Sequence, residues 1–351
     1  MINKLKIGKK YKPYIIAEMS GNHNGSLSNA LKIVRAAAKA GVSAIKLQTY
    51  TADTMTINTR QKGFMINSES SLWKGYSLYD LYKKAHTPWS WHKKIFKEAK
   101  KLGLQYFSTP FDLSAIEFLK QFNLPIYKVA SFENTDIRLI KLLAKTRKPI
   151  IISLGLATIG QIEEAVYTAR KNGCKKIVLL KCTSDYPAKA KDTNLNSIEF
   201  LKKKFKCEVG LSDHTKGIGV AVAAIAKGAT VIEKHFTFDK RVKSVDSSFS
   251  LDTTEMKQLV TEANAAWEAE GRVEFFKSQS EKKNLIFRRS VYVVKNIKKG
   301  EKFTTKNLRC VRPGFGVNTK FYDKILNKKS FKNFKLGTPI QHSDLKNLKI
   351  R

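Results

Sequence analysis

An α/β fold is what the sequence predicts, a (β/α)8 barrel followed by a small second domain, and three observations predict it. Short apolar, strand-like runs alternate with helical ones eight times before residue 270. Eight such units in that length favour a closed barrel over an open doubly wound sheet. No glycine-rich GxGxxG turn follows the first strand, which argues against a dinucleotide fold. The chain also changes character beyond residue 270, so its domains are read as 1–270 and 284–351, joined by a polar linker at 271–283.

The eight strands are expected at residues 14–19, 44–49, 105–109, 126–130, 150–154, 177–182, 207–211 and 230–233, each a β-branched or apolar run. Helix starts carry their own signals. Thr158 with Gln161, and Asp252 with Glu255, have capping-box spacing. Thr87 followed by Pro88 reads as an N-cap with proline at the first helical position. Between Thr49 and Thr87 lies a long insertion with little periodicity, leaving the second strand at its carboxyl end, where such barrels place chemistry; it is read as a lid or substrate-recognition loop. In the second domain, residues 288–294 alternate like a strand and the following stretches are turn-rich. Residues 284–351 hold 18 Lys and Arg against three Asp and Glu.

A 351-residue chain with 42% hydrophobic residues is globular. Its longest apolar run, 218–226, is too short to cross a bilayer, and no cleavage site follows the basic start, so a soluble cytoplasmic protein with no membrane association is expected. The cysteines, Cys174, Cys182, Cys207 and Cys310, lack zinc-binding spacing and are expected as reduced thiols. The net charge of +37 raises nucleic acid as a partner. The lysines are spread over nearly every helix face instead of forming one block with interleaved aromatics, so no nucleic-acid partner is expected. A positive field would still speed capture of anionic substrates.

Two histidines occupy matching places: His214 follows the seventh strand and His235 the eighth. Neutral imidazoles at adjacent strand ends suit a divalent transition metal, and the alternative is a pair of satisfied structural histidines. Other strand ends carry Glu18, Lys46, Thr109, Lys128, Ser131 with Glu133, Ser153, and Ser184 with Tyr186. Lys46 and Lys128 sit inside apolar strands, where an unpaired ammonium is costly, so a bound anion explains them better than a solvated face. For the hydroxyls taken alone, loop capping is the simpler role.

These residues carry a family resemblance. AEMSGNHNG, AIKLQTY, FSTPFD, KVASFEN, CTSDYP, LSDHT, EKHFT, RRSVYVVKNIKKGE and VRPGFGV, in that order over nearly the whole chain, resemble the N-acylneuraminate (sialic acid) synthase family. The resemblance implies a TIM barrel joined to a small antifreeze-like (SAF, β-clip) domain, in a domain-swapped homodimer. It implies a transferase that condenses phosphoenolpyruvate with an aldehyde amino sugar to give a nine-carbon nonulosonic acid and phosphate. By resemblance, His214 and His235 would ligate a divalent metal, Mn2+ first, with Mg2+ or Co2+ as alternatives. Lys46, Thr109, Lys128, Ser131, Ser153 and Ser184 would hold phosphoenolpyruvate. Glu18 and Glu133 would transfer protons or position sugar and water, Tyr186 and Asp246 would contact the sugar, and Arg312 would enter the partner subunit's site.

Two departures, Ser184-Asp185 in place of a common asparagine pattern and Val245-Asp246-Ser247-Ser248-Phe249-Ser250 in place of PDHxFS, bear on sugar specificity and not on reaction type. The block GYSLYDLYKKAHTPWSWHKKIF resembles the pseudaminic acid branch of the family, which favours a 2,4-diacetamido-2,4,6-trideoxyaltrose acceptor. Trp89 and Trp91 within it are read as helix packing, which is also the alternative to sugar contact for Tyr79. The rival readings are a synthase for legionaminic or N-acetylneuraminic acid with the same mechanism, a Schiff-base aldolase using Lys128, and a catalytically inactive basic binding protein.

Overall fold

The structure is a computed structural model that describes residues 5–69, 71–271, 273–275 and 278–350. It divides into two units, Met1–Gly271 and Arg272–Arg351. Of the stretch read as a linker, residues 272, 276 and 277 lie outside the described residues, and Gln279–Lys282 form a helical turn, α11 in chain order.

The first unit is a closed barrel of eight parallel strands in chain order: β1 (Tyr14–Glu18), β2 (Ala44–Thr49), β3 (Gln105–Pro110), β4 (Tyr127–Val129), β5 (Ile150–Ser153), β6 (Ile177–Cys182), β7 (Glu208–Asp213) and β8 (Val231–His235). Every residue of β1, β5 and β8 is buried. That is why β1 and β5 read as apolar runs up to their last residue and not as alternating ones. The helices follow as α1 (Leu27–Ala40), α2 (Ala52–Met55), α3 (Leu78–Ala85), α4 (His92–Lys101), α5 (Leu113–Lys120), α6 (Ile137–Lys145), α7 (Ile159–Lys171), α8 (Ser197–Phe205), α9 (Gly219–Ala226) and α10 (Thr253–Glu270). In α1 the buried positions Ala30, Ile33, Val34, Ala37 and Ala40 form the stripe that packs on the sheet. The capping boxes Thr158/Gln161 and Asp252/Glu255 are both made.

The strands match their expected bounds to within two residues, and three features depart for reasons the contacts show. β7 and β8 run on through Ser212-Asp213 and Lys234-His235, because Lys234 Nζ donates at 2.6 Å to both Asp213 Oδ2 and the Thr215 carbonyl, which satisfies a charge buried inside the ladder. Thr87 is not a helix cap. Its hydroxyl lies 3.3 Å from His23 Nε2, and Pro88 precedes a 3-10 turn, Trp89–Trp91, that leads into α4. The insertion is more ordered than its composition suggests. It holds α2, a Met65–Ser77 bridge, and α3 capped by Ser77, whose Oγ accepts from Asp80 N at 3.0 Å.

In the second unit β9 (Ser290–Val293) pairs antiparallel with β10 (Leu308–Val311), followed by the short helices α12 (Tyr322–Ile325) and α13 (His342–Asn347). Its core is its own, built on Val291, Val293, Phe303, Leu308, Phe334 and Ile340.

Candidate active site

The carboxyl ends of the strands bring most of the sequence-derived site together. Ladder register sets Glu18 opposite Lys46 on β2 and opposite His235 on β8. Glu18 Oε2 forms an ion pair with Lys46 Nζ, which also donates to Thr109 Oγ1 at 3.1 Å. Lys128 reaches the same layer from β4 and donates to the Val129 carbonyl at 3.1 Å.

Glu233, which sequence reasoning missed, joins the two lysines. Its carboxylate lies 3.7 Å from Lys46 Nζ and 3.6 Å from Lys128 Nζ, and accepts from Ser212 Oγ at 3.1 Å. The lysines are therefore not unpaired: Glu233 balances part of their charge, a partner the sequence reading did not name. Burial favours the neutral acid for both carboxylates. In Glu233 the fields of Lys128 and Lys46 overcome it and hold the pKa low. In Glu18 burial, with Glu233 adding to it, outweighs Lys46 and raises the pKa. Lys128 is lowered by burial despite Glu233. Two lysines converging in one buried layer suit an anion.

Beside this layer the loops after β4, β5 and β6 form a small cradle. Ser131 Oγ accepts from Gly155 N at 3.3 Å and donates to Cys182 Sγ at 3.1 Å. Ser153 Oγ is buried without a hydrogen-bond partner among the described residues. A Cβ on Gly155 would stand 2.0 Å from Ser184 Oγ and 2.8 Å from Ser131 Oγ, so only glycine keeps the space open. Asn134 Nδ2 ties the loops by donating to the carbonyls of Ser153 and Gly155, at 3.2 and 2.9 Å. Glu133 stands at the edge of the group with a buried, unpartnered Oε2, and burial raises its pKa to about 7 against the field of Lys128.

His214 and His235 face each other with ring centroids 5.4 Å apart. His214 Nδ1 lies 2.9 Å from the Thr183 carbonyl, which fixes the proton there and leaves Nε2 as a lone-pair donor. Burial lowers the pKa of His235; its Nδ1 has no hydrogen-bond partner among the described residues and lies 3.9 Å from Asp246 Oδ2. Burial alone would lower the pKa of His214, but Cys182 and the Thr183 carbonyl outweigh it and raise it. Two imidazoles with a free ring nitrogen each fit a divalent cation. Among the described residues no group of three His, Cys, Asp or Glu converges as a full cage, so such an ion would need oxygens from water or substrate.

The Tyr186 ring lies tilted against His214, with centroids 4.3 Å apart, and 5.4 Å from Phe249. Asp246 is buried, accepts from Gly21 N at 3.2 Å, and burial raises its pKa. Trp89 and Trp91 pack as expected, the first stacked on Phe118 at 4.7 Å and the second edge-on to His23 at 5.4 Å. Arg312 belongs to the second unit, exposed on the turn after β10. A groove of about 410 Å³ at the amino ends of β6 and β7 is lined by Arg170, Lys175, Lys176, Lys202 and Lys206, remote from these groups. Most of these cations are exposed, and Arg170 donates to the last carbonyl of α8, a helix-end role that accounts for it.

Comparison with known proteins agrees with this geometry. Residues 33–275 match the NeuB family and residues 288–346 a SAF domain. The chain is 45% identical to a pseudaminic acid synthase of Campylobacter jejuni over 95% of this chain and 96% of that one. It is 40% identical to an N,N'-diacetyllegionaminic acid synthase of the same species, over 92% and 97%. The crystal structure of an N-acetylneuraminic acid synthetase from Leptospira borgpetersenii superposes with a TM-score of 0.70 at 32% identity, covering 80% of this chain and 92% of that one.

Proposed function

The chain belongs to the NeuB family, and on that footing we propose that it is a pseudaminic acid synthase, condensing phosphoenolpyruvate with 2,4-diacetamido-2,4,6-trideoxy-L-altrose and water to give pseudaminic acid and phosphate. The observation that carries the reaction class is the buried Glu18, Lys46, Glu233 and Lys128 group beside an open hydroxyl cradle, a site built for a small anion. The acceptor rests on the insertion's likeness to the pseudaminic acid branch and on the identity to the Campylobacter jejuni enzyme. The margin over the legionaminic relative is small, so a legionaminic acceptor is the second reading.

In this reading Lys46 and Lys128 hold the carboxylate and phosphate of phosphoenolpyruvate, with Thr109, Ser131, Ser153 and Ser184 donating to the remaining oxygens. Carbon 3 then attacks the aldehyde carbon; the aldehyde oxygen takes a proton, water adds its oxygen to carbon 2, and the carbon–oxygen bond to phosphate breaks. Glu133, with a pKa near neutrality, can give or take a proton at working pH. Glu18 is tied to Lys46 and serves to hold that ammonium in place. His214 and His235 would hold a divalent cation, Mn2+ foremost, whose chemistry when bound is Lewis-acid polarisation of the aldehyde oxygen. Tyr186 and Asp246 position the sugar. Arg312 completes the partner subunit's site in a domain-swapped homodimer. The enzyme works in the cytoplasm, with which its four free cysteines agree; among the described residues no helix is long and apolar enough to cross a membrane.

The test is release of phosphate from phosphoenolpyruvate by Mn2+-loaded protein. Release that requires an added aldehyde amino sugar is expected. Release without sugar, or none with the pseudaminic, legionaminic and sialic precursors alike, contradicts the proposal.

A further inference from the structure

The loop between β8 and α10 carries Asp246, and it is held from two sides. On the barrel side Gly21 N donates to Asp246 Oδ2, and Ser244 Oγ donates to Asn22 Oδ1 at 2.6 Å. The Val245 side chain lies so close to Gly21 that a Cβ there would be 2.3 Å from Val245 Cγ2. On the other side stands Trp73, from the insertion that leaves β2. Its indole Nε1 donates to the Val245 carbonyl at 2.9 Å, and its ring lies 5.9 Å from that of Tyr186. Tyr186 is thus flanked by Trp73 and by His214.

We infer that Trp73 is a latch: it fastens the insertion across the barrel mouth and positions Tyr186 and Asp246 for the acceptor sugar. None of the side chains that hold phosphoenolpyruvate in the proposed function makes a ring contact or hydrogen bond with Trp73, so the latch acts on the sugar alone. The assignment of the sugar side rests on that proposed function; the fastening of the insertion does not.

Two measurements on the full-length enzyme separate these parts. In the first, the KM for the diacetamido-trideoxyaltrose and the KM for phosphoenolpyruvate are compared in wild type, Trp73→Phe and Trp73→Ala. Losing the indole hydrogen bond while keeping a ring raises the sugar KM about fivefold, and removing the ring as well raises it about thirtyfold, with the phosphoenolpyruvate KM unmoved. Trp267→Phe breaks an indole bond of the same 2.9 Å length, to the Lys9 carbonyl, and leaves both constants unchanged. In the second, trypsin cleavage after Arg60 and Lys62, both exposed in the same insertion, is followed without substrate. It is about tenfold faster in Trp73→Ala than in wild type. Unchanged cleavage overturns the latch. Faster cleavage with a parallel rise in both KM values, or in neither, overturns the role in positioning the sugar. A wild type that turns over none of the sugars defeats the proposed function, while the cleavage rates still decide the latch.

Discussion

Glu233 Oε1 lies 3.6 Å from Lys128 Nζ, and both side chains are almost wholly removed from solvent. A buried ammonium without a countercharge costs several kcal/mol, so each of these groups makes the other tolerable. The site is therefore a preformed electrostatic unit and not two lysines waiting for a ligand.

Glu233→Gln should lower stability by about 3 kcal/mol in urea unfolding, because Lys128 keeps its charge and loses its partner. Adding Lys128→Met should recover most of that loss while leaving the enzyme inactive. A single variant as stable as wild type would contradict the pairing.

Glu133 has a pKa of about 7 in the folded chain against 4.5 for the free side chain. The folded state therefore holds a proton that the unfolded state has released between those values, and stability from this group is full below pH 4.5 and lost as pH rises to 7. Glu133→Gln should raise the melting temperature at pH 8 by roughly 4 °C and leave it unchanged at pH 4. The same substitution should remove a limb near pH 7 from the kcat/KM profile. A limb that persists in the variant would assign the proton to another group.

The strands, their order and most of the site were legible because buried parallel strands are written as apolar runs, and a polar residue at the end of such a run stands out. Glu18, Lys46, Lys128, His214 and His235 were found that way. Glu233 sits inside the same kind of run, TVIEKH, where an unpaired carboxylate would be as costly as the two ammonium groups. Gly155 and Asn134 gave no signal, since their roles depend on loops that meet only in the folded barrel. Thr87 misled because a local cap pattern was overridden by a tertiary bond to His23. The order within the insertion was hidden because Trp73 finds its partner 172 positions away.

Metal retention tests the histidine pair. Protein dialysed against Mn2+ should hold about one ion per chain, and His214→Ala or His235→Ala should abolish this and cut phosphate release at least a hundredfold. Unchanged metal content in either variant would return that histidine to a structural role.

Arg312 tests assembly. Arg312→Ala and Glu133→Gln should each be nearly inactive alone. Mixed after subunit exchange, they should recover about a quarter of wild-type activity, because half of the dimers are mixed and each mixed dimer has one intact site. No recovery despite confirmed exchange would place the arginine's action within its own chain.

The most direct measurement offers phosphoenolpyruvate to the metal-loaded protein with either 2,4-diacetamido-2,4,6-trideoxy-L-altrose or N-acetylmannosamine, recording phosphate release and product mass. Phosphate and a product of pseudaminic acid mass with the altrose alone is the predicted result. Turnover of N-acetylmannosamine with none of the altrose would contradict it.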